Sequence, residues 1–162
     1  MISKSASRII NADPSAVMRL LSDVTSVDRW NTHLDHVELV SSNKSGLGAS
    51  RICHFHDGTS LKETVIEADG RHVVMAVSEF SLPLQEMNIE FSVRPVDGSS
   101  DKNTELTFSA EYNVKYGPVG YLLGATVLKM KLHDVQTKIL AGIDHHLTTG
   151  EKIGKDFQFT KQ

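Results

Sequence analysis

Two glutamates occupy strand positions at which the alternation of the sequence places apolar side chains. Glu63 lies between Leu61 and Val65, and Glu79 continues an apolar alternation that precedes it. A carboxylate facing a core can act as a general acid or base, because burial disfavours its charged form. The alternatives are a bulge that bends the strand, or an ion pair of Glu63 with Arg51 across a hairpin. A structural or ligand-orienting role is favoured for both glutamates, and catalysis is the alternative.

Histidine and cysteine are the other residue types that can bind a metal ion or react chemically. His54-Phe-His56 places two imidazoles on one strand face, and alternate strand positions can bind one metal ion. No third ligand stands at a diagnostic spacing, and His145-His146 point about 100° apart on a helix. Cys53 is the single cysteine, which excludes an intrachain disulfide and any multi-cysteine cluster, and we expect it to be a small buried hydrophobe. The sequence therefore predicts no metal site and no cofactor.

Aromatic side chains supply a second kind of candidate. Four aromatic side chains can form flat apolar walls with a polar edge for a ligand, namely Trp30, Tyr112, Tyr116 and Tyr121. Core packing is the alternative for Trp30. The residues predicted to bind a ligand are Trp30, Arg51, Glu63, Glu79, Met87, Phe91, Phe108, Tyr112, Tyr121 and Leu128.

The composition limits the class of protein to which these residues belong. The chain has 162 residues, of which 40% are hydrophobic and 23% charged, which is typical of one globular domain. Its net charge of −3 and the lack of a basic run argue against nucleic-acid binding. The longest charge-free run, Tyr116 to Leu128, is shorter than the roughly 20 residues of a membrane-spanning helix. We expect a soluble, cytoplasmic protein that does not insert stably into a membrane.

Turn signals divide the middle of the chain into short β-rich runs. Gly46-Leu-Gly48, Asp57-Gly58, Asp69-Gly70 and Asp97-Gly98 favour tight turns between strands. The strands predicted in this way are roughly Ser5–Asn11, His36–Ser42, Ser50–His56, Ser60–Ala68, His72–Phe80, Leu84–Val96 and Thr104–Lys115.

Helices are predicted on both sides of this run of strands. Asp13-Pro14 is typical of a helix start, and a second short helix is predicted at Val27–Leu34. One long helical pattern runs from Val119 to Leu147. A curved seven-stranded antiparallel sheet must cover its apolar face, and only this helix is long enough to do so. The sequence predicts an α+β fold with a cavity between sheet and helix, a single domain over residues 1–150 and a tail over 151–162.

Several motifs in a fixed order carry a resemblance to a known family. They are Ile10-Asn-Ala-Asp-Pro-Ser-Ala-Val17, Leu21-Ser-Asp23 followed by Trp30, Gly46-Leu-Gly-Ala-Ser-Arg51, Leu61-Lys-Glu63, Leu82-Pro-Leu84, Phe108-Ser-Ala-Glu-Tyr112 and Tyr116-Gly-Pro-Val-Gly-Tyr-Leu-Leu123. With them the chain resembles the START-like, or Bet v 1-like (SRPBCC), superfamily, and within it the polyketide cyclase/dehydrase-like family. The resemblance implies a helix-grip fold whose pocket takes a lipid, a polyketide or an isoprenoid.

Three functions agree with these expectations. The favoured one is a non-enzymatic binder of a hydrophobic small molecule between the sheet and the C-terminal helix. The second is a cyclase or dehydratase that uses a buried carboxylate, and the third is a protein-interaction module. The sequence leaves open the ligand, the presence of catalysis, any protein partner, and whether the chain is a monomer or a homodimer.

Overall fold

A single antiparallel sheet of seven strands forms the framework of the molecule. The computed structural model describes residues 1–81, 83–96 and 102–159. The strands are β1 (Ile2–Ile10), β2 (Leu34–Leu39), β3 (Ser50–Phe55), β4 (Ser60–Ala68), β5 (His72–Ser78), β6 (Leu84–Pro95) and β7 (Thr104–Val114). Their order across the sheet is β1-β7-β6-β5-β4-β3-β2, with every neighbouring pair antiparallel. The predicted α+β helix-grip architecture is confirmed.

Local sequence signals account for most strand limits. β4 has the predicted bounds, and the clearest alternation, in β7, buries Leu106, Phe108 and Ala110 while the residues between them are more exposed. β1 begins earlier than predicted, because its whole length pairs with β7. The predicted turn at Asp97-Gly98 lies outside the described residues.

The helices after β1 differ in part from the prediction. α1 (Pro14–Ser22) begins where predicted, and the Asp13 side chain accepts a hydrogen bond from the backbone N–H of Ala16 at 2.8 Å. The second helix is a 3₁₀ helix over Val24–Arg29 rather than the helix predicted over Val27–Leu34. The Asp23 carboxylate accepts a hydrogen bond from the N–H of Thr25 and thereby starts the helix early.

The C-terminal helix is one continuous rod with an irregularity near its start. α2 (Gly117–Leu123) passes through a π-helical segment, Gly124–Leu128, into α3 (Lys129–Thr149). Gly150 ends the rod in a left-handed conformation. The tail predicted over 151–162 is packed at its beginning, because Ile153 is buried and its N–H donates to the carbonyl of Arg29 at 3.0 Å. The domain boundary at residue 150 stays a prediction.

The core lies between the sheet and its covering helices. α3 packs along β1 and β7, and α1 lies over β5 and β6. Gly142 permits close contact of α3 with the loop at Trp30, since a Cβ there would lie 2.0 Å from the Trp30 carbonyl oxygen. No helix in the described part of the chain is long and apolar enough to cross a membrane.

Candidate functional site

The described residues at the start of the C-terminal helix are less buried than those of its C-terminal half. Leu140 and Ile143 on α3 are buried, Leu132 and Leu128 are half-buried, and Val127 is 50% exposed. The side chains that should cover the sheet thus lose contact with it towards the π-helical segment. π-Helical turns often accompany functional sites. The helix and the sheet are therefore least tightly joined around residues 117–128.

A separate apolar cluster lies under this part of the helix. Its buried members are Ile2, Leu84 and Tyr112, and half-buried side chains from β6 and the helix, including Met87 and Leu128, pack against them. Burial raises the pKa of the Tyr112 phenol. Three of the residues predicted to bind a ligand, Met87, Tyr112 and Leu128, are thereby brought together at this end of the molecule.

An open depression adjoins the same end, where β5 leads into β6. Its volume is about 420 Å³. Its apolar lining includes Phe80, Leu84 and Met87, and its charged lining is Glu79, Glu86 and Lys115. The lining of the depression thus combines apolar side chains with charged groups of both signs. This combination suits a ligand with an apolar body and one polar group.

A buried polar cluster lies on β3 and β4. Arg51 is 2% exposed, and its Nε donates to Glu63 Oε2 at 2.6 Å, with the Glu63 side chain 12% exposed. Arg51 Nη1 donates to the carbonyl of Val24 at 3.1 Å, and the Cys53 thiol donates to Glu63 Oε2 at 3.6 Å. The ion pair that was the alternative for Glu63 is therefore present. The strand bulge lies further along β4, between Val65 and Glu67.

Electrostatics fix the charge states inside this cluster. Burial alone would lower the pKa of Arg51, but the Glu63 carboxylate beside it raises that pKa above its ordinary value. Burial, together with the same carboxylate, raises the pKa of the Cys53 thiol. Cys53 is a neutral buried side chain, as expected, and it is unsuited to nucleophilic chemistry.

Two side chains that bury a polar atom without a partner in the described part of the chain, Gln136 and His33, were missed in the sequence. Gln136 on α3 is fully buried, and its Nε2 donates to the carbonyls of Lys4 on β1 and Phe108 on β7, at 3.0 and 3.2 Å. Its Oε1 and the Nε2 of His33 are buried without a hydrogen-bond partner among the described residues. Gln136 stands four residues from both Leu132 and Leu140, so a polar residue within an apolar helical stripe was the available signal.

The other residues predicted to bind a ligand lie apart from the apolar cluster of Ile2, Leu84 and Tyr112. Trp30, Phe91 and Phe108 are packed in the main core, where the Phe91 and Phe108 rings stack at 4.4 Å. Tyr121 is 55% exposed on α2. Glu79, expected on the core-facing side, is exposed, because β5 ends at Ser78 and the chain then turns with a φ of 55° at Glu79.

The paired histidines make contacts with neighbouring strands. The His54 ring stacks on the ring of His36 at 4.3 Å, and its Nε2 lies 3.3 Å from a Glu38 carboxylate oxygen. His56 faces Asp35 at 3.6 Å. Within residues 1–81, 83–96 and 102–159, no three His, Cys, Asp or Glu side chains are grouped to hold a metal ion.

A curved antiparallel sheet that grips a long C-terminal helix, with apolar side chains between them, defines the class of helix-grip proteins. Residues 1–147 match the family model described as polyketide cyclase/dehydrase and lipid transport, and the chain belongs to this family. No curated protein matches the chain significantly.

Solved structures with the same fold include proteins from bacteria and plants. The aromatase/cyclase Zhui from Streptomyces sp. R1128 is 13% identical, with a TM-score of 0.68 and coverage of 94% of this chain and 99% of that one. The ginseng major latex-like protein 151 from Panax ginseng is 18% identical, with a TM-score of 0.65 and coverage of 90% and 96%. One further match is the di-domain aromatase/cyclase BexL of the BE-7585A biosynthetic pathway, which is 16% identical, with a TM-score of 0.74 and coverage of 91% and 47%. At these identities the likeness concerns the fold.

Proposed function

We propose that this protein binds a hydrophobic small molecule between the sheet and the first part of the C-terminal helix. The observation that carries the proposal is the low burial of the described residues within 117–128, where the helix packs over the apolar cluster of Ile2, Leu84 and Tyr112. A ligand there would cover apolar surface at about 25 cal/mol per Å², before the costs of association.

Polar groups near this end supply orientation for the proposed ligand. Glu79, Glu86 and Lys115 line the open depression, and Tyr112 lies in the adjoining cluster. A ligand with a largely apolar body and one polar end, such as a lipid, polyketide or isoprenoid, fits this distribution. The family description, which includes lipid transport, supports the same class of ligand.

A second candidate function is that of a cyclase or dehydratase. The family description and the aromatase/cyclase fold neighbours favour it. Glu63 is the carboxylate nearest to the interior, but its Oε2 already accepts from Arg51 and from Cys53. A carboxylate anchored in this way is better suited to holding the fold or orienting a ligand than to carrying protons. We therefore place binding ahead of catalysis.

Native mass spectrometry of freshly purified protein, followed by organic extraction, tests the proposal first. We expect a bound lipid-like or aromatic molecule that is extracted unchanged and that rebinds to the emptied protein. An extracted molecule that the protein converts to a product would instead support the enzyme.

A filled-pocket variant tests the location. Leu128→Trp places a large ring over the apolar cluster of Ile2, Leu84 and Tyr112. Met130→Trp places the same ring at a residue that is 76% exposed. We expect Leu128→Trp to weaken rebinding of the extracted molecule at least about tenfold. This factor corresponds to roughly 1.4 kcal/mol, which is a modest share of the binding free energy that burial of the ligand's apolar surface contributes. Met130→Trp should leave the affinity unchanged. Equal affinity in both variants would contradict this location.

A further inference from the structure

An unusual amount of apolar surface is exposed at the start of the C-terminal helix. We call it the apolar patch and define it by Tyr116, Val119, Tyr121, Leu122, Val127 and Met130. The side chain of Tyr116 is 78% exposed and that of Leu122 is 65% exposed. Large apolar side chains that are exposed in number within one short segment of the chain are a candidate interaction surface.

Positive charge frames the apolar patch. Lys115 precedes it, Lys129 and Lys131 lie at its other end, and the sequence has no acidic residue between Glu111 and Asp134. None of these three lysines forms an ion pair within the described ranges, although Lys115 shares the open depression with Glu79 and Glu86. The whole chain carries a net charge of −3, so this cationic segment contrasts with the rest of the molecule.

Exposed apolar side chains next to unpaired lysines fit one kind of surface particularly well. Aliphatic side chains can enter the boundary between headgroups and acyl chains, tyrosines favour the same interface, and lysines attract anionic headgroups. The charge-free run is too short to span a bilayer, so the segment would lie along the surface. We propose that the apolar patch docks on an anionic lipid surface.

A second copy of the chain suits the apolar patch less well. In a two-fold symmetric contact the same patch meets itself. Such a contact would place Lys115, Lys129 and Lys131 of both copies at one interface, with no acidic residue of the segment to neutralise them. An anionic bilayer supplies the missing negative charge. The docking is independent of the proposed ligand site, since it requires no occupied cavity.

Vesicle flotation measures the docking directly. The protein is mixed with vesicles of phosphatidylcholine alone, or of phosphatidylcholine with phosphatidylserine at about one third, a strongly anionic surface. We expect binding to the anionic vesicles that weakens as salt is raised, and much weaker binding to the neutral ones. No flotation with anionic vesicles, or binding that is equal on both and unaffected by salt, would overturn the proposal.

Charge-reversal variants locate the contact. Because each lysine near an anionic surface contributes roughly fivefold to affinity, Lys129→Glu with Lys131→Glu should weaken binding by about 30-fold or more. The matched control is Lys44→Glu with Lys155→Glu, which makes the same change of charge at two exposed lysines elsewhere. Thermal unfolding confirms that both variants are folded. An equal loss in the test and the control would show that net charge alone drives the binding, and would overturn the docking site.

A fluorescent label shows whether the apolar patch enters the lipid surface, and this test does not alter the lysines. Because the only native cysteine is buried, Tyr121→Cys introduces a single accessible thiol. We expect an environment-sensitive dye at this position to shift to the blue on anionic vesicles, and the same dye on Leu47→Cys, at a side chain 72% exposed, to stay unchanged. An unchanged dye at 121, or sedimentation showing a dimer that Leu122→Ser dissociates while vesicles stay unbound, would overturn the proposal in favour of another occupant.

Discussion

A buried guanidinium requires a counter-charge, and this requirement explains the position of Glu63. Arg51 is 2% exposed, and its cross-strand neighbour in the β3–β4 register is Glu63. Glu63 and the carbonyl of Val24 together receive two arms of the guanidinium. The carboxylate therefore maintains the fold of the inner sheet face, whatever it does for a ligand.

Removing this counter-charge should affect stability first. Glu63→Gln keeps the shape but leaves Arg51 buried without an opposite charge, so we expect a loss of about 3–5 kcal/mol in the free energy of unfolding. Glu67→Gln on the same strand removes an exposed carboxylate and should change stability little. Urea denaturation of both variants checks the prediction. A Glu63→Gln variant as stable as wild type would show that the pair does not stabilise the fold.

His33 should make stability depend on pH. Burial lowers its pKa below the ordinary 6.5, nearby Lys138 and His56 lower it further, and Asp134 acts in the opposite direction. The unfolded chain then binds more protons than the folded one below pH 6.5. The free energy of unfolding should therefore fall as the pH is lowered from 6.5 through the folded-state pKa, and level off below it. Four aspartates have pKa values below the ordinary 3.8, namely Asp13, Asp35, Asp57 and Asp69. The stability that they contribute is lost at lower pH, as the pH falls from 3.8 through their folded-state pKa values.

Thermal unfolding across this pH range tests the role of His33. His33→Gln should flatten the slope just below pH 6.5, whereas His133→Gln, at an exposed residue of α3, should retain it. An unchanged slope in His33→Gln would show that other groups cause the pH dependence.

At the residue scale, the sequence predicts the contacts of a side chain where the strand register alone determines them. The Asp57-Gly58 turn fixes the β3–β4 hairpin, so the pairing of Glu63 with Arg51 could be anticipated. Glu79 could not be placed in the same way, because alternation does not show that a strand has ended. Gln136 and His33 owe their buried, unpartnered atoms to contacts between distant segments, which a local pattern does not reveal.

At the scale of elements, close backbone approach determines how the C-terminal helix is seated. A Cβ at Gly142 would lie 2.0 Å from the Trp30 carbonyl oxygen and 2.6 Å from Ile153 Cδ1. The packing of α3 against the Trp30 loop and the C-terminal segment thus depends on the absence of a side chain there.

Gly142→Ala should accordingly destabilise the protein although alanine favours helices. We expect a loss of about 1–3 kcal/mol in the free energy of unfolding, because a carbonyl oxygen cannot yield as a flexible side chain can. Gly154→Ala, where an added Cβ meets nothing within 4 Å, is the control and should be nearly neutral. Comparable stability of the two variants in urea would contradict the close approach.

The elements that the sequence predicted least well are those built from short-range hydrogen bonds. The 3₁₀ helix Val24–Arg29 begins at a cap formed by Asp23, and no apolar period marks it. The π-helical segment Gly124–Leu128 was likewise invisible, because an apolar run agrees with either kind of helix. The long helix itself was predicted correctly, since its apolar face repeats over many turns.

At the scale of the whole molecule, the two ends of the C-terminal helix differ in how firmly they are held. The buried residues Ile139, Leu140 and Ile143 fix the C-terminal half against the main core. Among the described side chains of residues 117–128 most are exposed, and several of these are large and apolar. Both proposals, a ligand beneath this segment and a lipid surface above it, depend on this difference.

Hydrogen exchange should reveal the difference as a gradient of protection along one helix. Local opening free energies range from near zero to the global value, and segments with few buried contacts lie at the low end. We expect amides in Gly117–Leu128 to exchange at least about tenfold faster than those of Ile139–Ile143, which corresponds to roughly 1.4 kcal/mol in opening free energy. The inner strand β7 provides the reference for global unfolding.

Protection of residues 117–128 should rise when the extracted ligand is added, because the ligand fills the space beneath the segment. Uniform protection along the helix in the empty protein would mean that the segment is as tightly held as the core, leaving the ligand no space that the fold readily opens.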